Sequence, residues 1–480
     1  MLHFPSHHAP SIRILSDEQI RDLHFATLEI LERTGVEVKE ERALGLLRAA
    51  GAHLHGERAR IPANLVEEAI RTAPKRVVVS ARTGERVMPL EEGKVFFGTG
   101  SDTPNTIDPH TGARRAPRYQ DLVNIARLSD ALPNIDFIMS MGIVSDAPAR
   151  ANYVRGFAAM LEGSSKPIVF TANDLNDMHQ IHRMACAVAG GETELRANPF
   201  LALYDEPISP LIHSPNGLAK LLFCADHAIP VAYISGMLSG GTAPVTLAGC
   251  CALANAECLS GLVIHQLAAP GAPFIYGANV ALFDMSTSVC VYAGPEFSLT
   301  NAAFADLARF YRLPVWGLAG AADSKVLDAQ AGAEAIFSIT AAIAARGNLV
   351  HDVGYLENGL TSSMEMIAFC DEIISMLRIF FRGIPMDADH LALDVIDAVG
   401  PGGHFLDADH TLRHFRTDHF LPRLMDRRNF EKWVEAGSPD LASRANRRVL
   451  EILDAHQPAP LPEAAKRVVE EVLAESDAGG

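Results

Sequence analysis

Two short stretches hold most of the residues able to do chemistry. His351-Asp352-Val353-Gly354-Tyr355-Leu356-Glu357 sets an imidazole, a phenol and carboxylates close together, and Tyr204-Asp205-Glu206 sets a phenol beside further carboxylates. Aromatic faces backed by carboxylates hold cationic groups, quaternary ammonium above all. An imidazole beside them can act on the substrate or hydrogen-bond its anionic end. His351 and Glu357 are therefore the candidate catalytic residues. Phe97, Tyr204, Glu206, Tyr355, Asn173 and Asn279 are the candidate substrate-binding residues. Each also has a plainer role open to it. A histidine among aliphatics can be satisfied by a backbone carbonyl, an aromatic in a strand can simply pack, and Glu206 can cap a helix.

Other chemistries fit less well. His351, Asp352 and Asp323 could ligate a metal, but the early HxH pair of barrel metal hydrolases is missing, so no metal is expected. There is no GxSxG elbow for a serine hydrolase and no GxGxxG turn for a dinucleotide. The loops that would grip a phosphate carry Asp323, Asp352 and Glu357, which suit a cation instead.

Positioning these residues requires a repeated unit. Short runs rich in Val, Ile, Phe, Tyr and Leu recur at 95–99, 137–141, 167–171, 200–204, 230–234, 273–277, 314–318 and 348–352. Helical patterns follow them at 119–132, 153–161, 174–189, 214–227, 246–267, 296–310, 328–345 and 363–381. Near-continuous apolar strands alternating with helices predict a parallel sheet covered by helices. The count of units predicts a (β/α)8 TIM barrel with N-terminal and C-terminal α-rich extensions, in which the strand C-termini form the active site. A doubly wound open sheet is the competing arrangement. The expected division is 1–93, an N-terminal α-rich extension with a small hairpin at 76–79 and 86–89; 94–382, the catalytic barrel; and 383–480, a C-terminal α-rich region ending in a disordered tail at 475–480.

Composition narrows the setting. The 480 residues are 48% hydrophobic and 21% charged, as in ordinary globular chains. A net charge of −17 disfavours nucleic acid and anionic membranes as partners. Seven cysteines, odd in number and without a CxxC pair, argue against a disulfide framework or structural zinc and for the reducing cytoplasm. No basic and apolar leader opens the sequence, and the apolar run at 246–270 is broken by Glu257, His265 and Gln266, so no membrane span is expected.

Several segments, taken together and in order, resemble the trimethylamine methyltransferase family. They are Phe97-Gly98-Thr99-Gly100 with Asp108-Pro109-His110-Thr111-Gly112; Ser164-Ser165-Lys166-Pro167-Ile168; Ser235-Gly236-Met237-Leu238-Ser239-Gly240-Gly241-Thr242-Ala243-Pro244-Val245-Thr246; Asp323-Ser324-Lys325 with Asp328-Ala329-Gln330; and His351-Asp352-Val353-Gly354-Tyr355. The resemblance implies a barrel enzyme that moves a methyl group from an amine to the Co(I) of a cognate corrinoid protein. No cofactor is then held tightly by this chain, which lacks the DxHxxG cobalamin motif. Family members acting on trimethylamine carry pyrrolysine, whereas this chain has standard residues throughout. It therefore resembles the non-pyrrolysine branch, which takes quaternary amines such as glycine betaine, proline betaine, carnitine or γ-butyrobetaine. On this view Ser235, Gly236, Gly240 and Gly241 face the corrinoid, where small residues let a flat macrocycle approach. Self-association into a homo-oligomer is expected. The alternatives are a metal-dependent TIM-barrel lyase or hydrolase, and a betaine-binding protein without catalysis.

Overall fold

The computed structural model describes residues 2–3 and 10–478. Its centre is built of parallel strands. Ile168–Phe170, Leu201–Asp205, Val231–Tyr233 and Phe274–Ile275 pair in that order. Trp316–Leu318 pairs with Leu349–Val353, which pairs with Lys94–Thr99. Isolated parallel bridges continue the pattern, from Gly98 to Phe137, Ile138 to Ile168, and Tyr276 to Val315. All eight apolar runs read from the sequence thus lie in parallel pairings, the 137–141 run through bridges alone.

Helices separate these strands, and their starts follow from local chemistry. Asp174 accepts from the amides of Asn176 and Asp177 to open Leu175–Ala189. Ser214 with a proline at the first turn opens Pro215–His227, Asp328 opens Ala329–Ala345, and Ser363 opens Met364–Arg382. The result is a mixed α/β fold.

Strand alternation sorts the apolar side chains into two layers. Phe96, Met139, Val169, Ala202, Ile234, Trp316 and Leu349 share one cluster between the strands. Val77, Val79, Met88 and Leu90 join it from the antiparallel hairpin Val77–Ser80 and Arg86–Leu90, which matches the predicted hairpin. The alternate residues, among them Phe97 and Val350, pack outward against helices. The fit is tight: a Cβ at Gly98 would lie 2.4 Å from the Phe137 ring. Gly98→Ala is therefore expected to cost about 1–3 kcal/mol, read as a fall in the denaturation midpoint. An unchanged midpoint would mean the ring has room to move.

The structure differs from expectation in three further places. The N-terminal extension holds helices Asp17–Glu29, Glu41–Ala50 and Ala63–Thr72, as an α-rich segment should, but Val36–Val38, His53–His55 and Arg58–Arg60 add a small sheet beyond the one hairpin expected there. At the other end, helix Glu463–Ala478 runs through most of the predicted disordered tail, because Arg183 pairs with Glu475 at 2.8 Å and Arg155 with Asp477. Residues 479–480 lie outside the described residues. Lastly, helix Leu247–Ala268 is, against expectation, long and apolar enough to cross a membrane, but 78% of its apolar window is buried within the fold. It packs on all three N-terminal helices and on Pro215–His227, as a core helix does.

Candidate active site

The C-terminal ends of the parallel strands converge on a ring of aromatic side chains. Inward alternation carries Ala202, Tyr204 and Glu206 along one strand and Leu349 and His351 along another. Tyr204 stacks on Trp316 with centroids 4.9 Å apart and an interplanar angle of 27°. Trp316 meets the His351 ring at 4.3 Å, and Tyr204 meets it at 5.7 Å. Tyr292 continues the wall, lying 5.2 Å from Phe297 and edge-on to Tyr355 at 6.5 Å.

Carboxylates face these rings. The Tyr204 hydroxyl donates to Glu206 Oε1. Atoms crowding the Glu206 carboxyl push it up to about 7, and only in part does the Tyr204 bond offset this. Solvent still reaches Glu206 from the open side, so its environment is a crowded mouth and not a sealed core. Below it, Asp205 and Lys220 form a buried pair at 2.8 Å, and Lys220 Nζ also donates to the Ala172 carbonyl. Burial pushes Asp205 up to about 6 against the pull of Lys220.

Asp352 is the most costly group. It is fully buried, its φ of 82° lies in the left-handed region, and neither carboxylate oxygen accepts a hydrogen bond among the described residues. His351 Nδ1 is 3.0 Å from Asp352 Oδ1, near enough for electrostatic pairing but not aligned as a hydrogen bond. Burial raises the phenols of Tyr204, Tyr292 and Tyr355 well above their ordinary value, and the Asp352 charge raises all three further. More buried polar atoms around the ring have no hydrogen-bond partner among the described residues: both nitrogens of His351, Nε1 of Trp316 and Oδ1 of Asn279. Unpartnered buried polar groups cost free energy unless something satisfies them. Backbone strain and buried polar atoms without hydrogen-bond partners among the described residues are thus gathered at one place.

Tyr204, Glu206, Tyr355, Asn279 and His351 thus come together as the sequence suggested. Asn279 is buried, with its amide 3.4 Å from the Tyr292 hydroxyl. Tyr355 donates or accepts at 3.3 Å with Ser101. Gly236 also belongs here, since a Cβ on it would lie 2.8 Å from Glu206 Oε2.

Four other candidates fall elsewhere. Phe97 is fully buried in the outward layer, because Phe96 one residue earlier takes the inward position. Asn173 is exposed just before the Asp174 cap, its backbone N–H donating to Asp177 at 2.9 Å. Glu357 is held on the rim by Arg114 at 2.7 Å and by Thr361; burial raises it, but these bonds outweigh that and keep it below the ordinary carboxylate range. Ser235 is fully buried and its hydroxyl donates to Glu257, which also accepts from Ser209 and the Leu211 amide. Gly240 and Gly241 remain on the open loop beyond the strand end. Two residues of this ring, Trp316 and Tyr292, were not singled out from sequence, whereas Asp352 was, as a group suited to a cation. Trp316 stands at an inward position of an expected strand, so strand parity would have found it. Clefts of 550 and 440 Å3 elsewhere on the molecule lie between outer helices, away from this ring.

Comparison with known proteins gives consistent results. The family model described as trimethylamine methyltransferase matches residues 1–479. A trimethylamine methyltransferase of Desulfitobacterium hafniense is 33% identical over 466 residues, covering 96% of this chain and 93% of that protein. A glycine betaine methyltransferase of the same species is 32% identical, covering 94% of each. A trimethylamine methyltransferase of Methanosarcina thermophila is also 32% identical. Among solved structures, the hydroxylamine complex of MtmB aligns over 96% of this chain and 89% of its own, with a TM-score of 0.51 at 10% identity. That likeness concerns the fold alone.

Proposed function

The chain belongs to the trimethylamine methyltransferase family and is a methyltransferase; we propose that it moves a methyl group from a quaternary amine to the corrinoid of a separate protein. The observation carrying this reading is the ring of Tyr204, Trp316, Tyr292 and Tyr355 around the buried, unsatisfied Asp352 carboxylate and Glu206. Aromatic faces with nearby anions suit an N-methylated cation. A chain of standard residues supports the quaternary substrate over trimethylamine.

The chemistry asks little acid–base work of the protein. A quaternary nitrogen leaves as a neutral tertiary amine, so no proton has to be supplied. The partner's corrinoid supplies the low-valent cobalt nucleophile that accepts the methyl. This chain binds the amine, orients one N-methyl group outward and excludes water behind it. Positive charge disperses as the methyl leaves. Close carboxylate contact at nitrogen would favour the bound substrate over the transition state, and aromatic faces soften that penalty. His351, with neither nitrogen hydrogen-bonded among the described residues, can hold an anionic end of the substrate.

The order of parallel pairings and bridges supports the (β/α)8 barrel, with 1–93 and 383–480 as extensions around 94–382. Exposed Ile208, Val245, Met285, Val326 and Leu360 stand on loops following the strand ends, with Met285 and Val245 beside Gly240. Apolar side chains collected around a site mouth support docking of the corrinoid protein there. Exposed apolar residues of the C-terminal helices support a homo-oligomer. Seven free cysteines support a cytoplasmic location.

Binding should depend on Glu206. Its carboxyl is raised to about 7, and only the ionised form attracts a cation. Affinity is therefore expected to rise with pH through about 7, expressed in KM more than kcat, and Glu206→Gln should flatten that limb. Trp316 reports occupancy directly. In a Trp433→Phe background, adding a betaine should change Trp316 fluorescence saturably; no change with any quaternary amine would overturn this reading.

A further inference from the structure

One part of the chain is ordered without a core. Helices Ala388–Leu391, Leu393–Val399 and Asp409–Asp418 bury no side chain, while Leu406 is 87% and Leu412 71% exposed. Burial of apolar surface is what normally offsets the entropy of ordering a chain, and here there is almost none.

Imidazoles and carboxylates join the first of these helices to the last. His390 Nδ1 lies 2.7 Å from Asp387 Oδ2, and its Nε2 lies 3.9 Å from Asp418 Oδ2. His414 Nε2 lies 2.8 Å from Asp389 Oδ2, and its Nδ1 lies 3.1 Å from the same Asp418 Oδ2. The two rings are 5.0 Å apart. Each imidazole therefore has one nitrogen tied to an outer carboxylate and the other turned towards Asp418. Outer carboxylates of this kind fix the tautomer and orientation of metal-binding histidines. Tetrahedral bonds of about 2.0–2.2 Å place donor atoms about 3.3–3.6 Å apart, and the observed 3.1 and 3.9 Å bracket that spacing. The donor atoms of all three residues lie within 4.8 Å of one another. Arg382 donates to the Asp418 carbonyl at 3.4 Å and to Oδ1 at 3.5 Å, leaving Oδ2 available.

We propose that His390, His414 and Asp418 bind a divalent cation of the zinc class, with water in the fourth position. Two imidazoles favour zinc over magnesium or calcium, which prefer all-oxygen sites. The ion staples helix Ala388–Leu391 to helix Asp409–Asp418 and replaces the missing core, as metals do in small coreless units. The site stands apart from the aromatic ring and serves structure, not methyl transfer.

The test uses the full chain, stripped with chelator, dialysed and then titrated with zinc against a chromophoric competitor. One equivalent per chain is expected, and none in the His390→Ala, His414→Ala double variant. Asp387→Asn, which leaves the ligands in place, should weaken zinc binding about 10- to 100-fold. Zinc at about 100 times its Kd should slow proteolytic cleavage within residues 383–440 about 100-fold. Failure of the wild-type chain to bind zinc would overturn the proposal. So would an equivalent that persists in the double variant, which would assign the ion to another grouping such as His182, Glu192 and His227.

Discussion

Replacing Asp352 with Asn is expected to lower kcat/KM for the methylated amine about 100-fold while leaving the melting temperature unchanged or higher. Removing one partner of a desolvated charge pair typically costs 2–5 kcal/mol, and each 1.36 kcal/mol is a factor of ten in rate. The stability side runs the other way. Asp352 is fully buried, its oxygens accept no hydrogen bond among the described residues, and its backbone is left-handed. Asparagine tolerates that backbone at least as well and brings no buried charge. The double outcome separates a ligand-facing carboxylate from a structural one. If Asp352 instead held the fold together, the Asn variant would melt early; if it did neither, kcat/KM would stay near wild type.

The second large effect concerns Tyr204. Its ring stacks on Trp316 and its hydroxyl holds Glu206. A desolvated cation–aromatic contact contributes about 2 kcal/mol, so Tyr204→Ala should lower kcat/KM about 30-fold, mostly through KM. Tyr204→Phe keeps the ring and loses only the hydroxyl. Because the Tyr204 bond lowers the Glu206 carboxyl, its loss should move the rising limb of the pH profile to higher pH. A Phe variant as impaired as the Ala variant would show that the hydroxyl, and not the aromatic face, is what the site needs.

The parts legible in the sequence were those set by local periodicity. Apolar runs and capping residues located the strands and helices, and the rule that function collects at strand C-termini brought Tyr204, Glu206, His351 and Asn279 to one place. What failed depended on parity or on distant partners. Phe96 and Phe97 are equally apolar, and only the pairing register decides that Phe96 points inward. Glu357 stands close in sequence to His351, yet Arg114, 243 residues away, draws it to the rim. Tyr292 reaches the ring from just beyond the antiparallel strand Val289–Val291, an excursion outside the repeated unit. His390 and His414 stand on separate helices, so no local spacing marks them as a pair.

The most direct test of the central claim is to mix the purified chain with a Co(I) corrinoid protein, add amines one at a time, and follow the absorbance of the methylated corrinoid. Methylation by a betaine, absent with trimethylamine and lost in Asp352→Asn, is the predicted result. Silence with every quaternary and tertiary amine would contradict the assignment of substrate and acceptor.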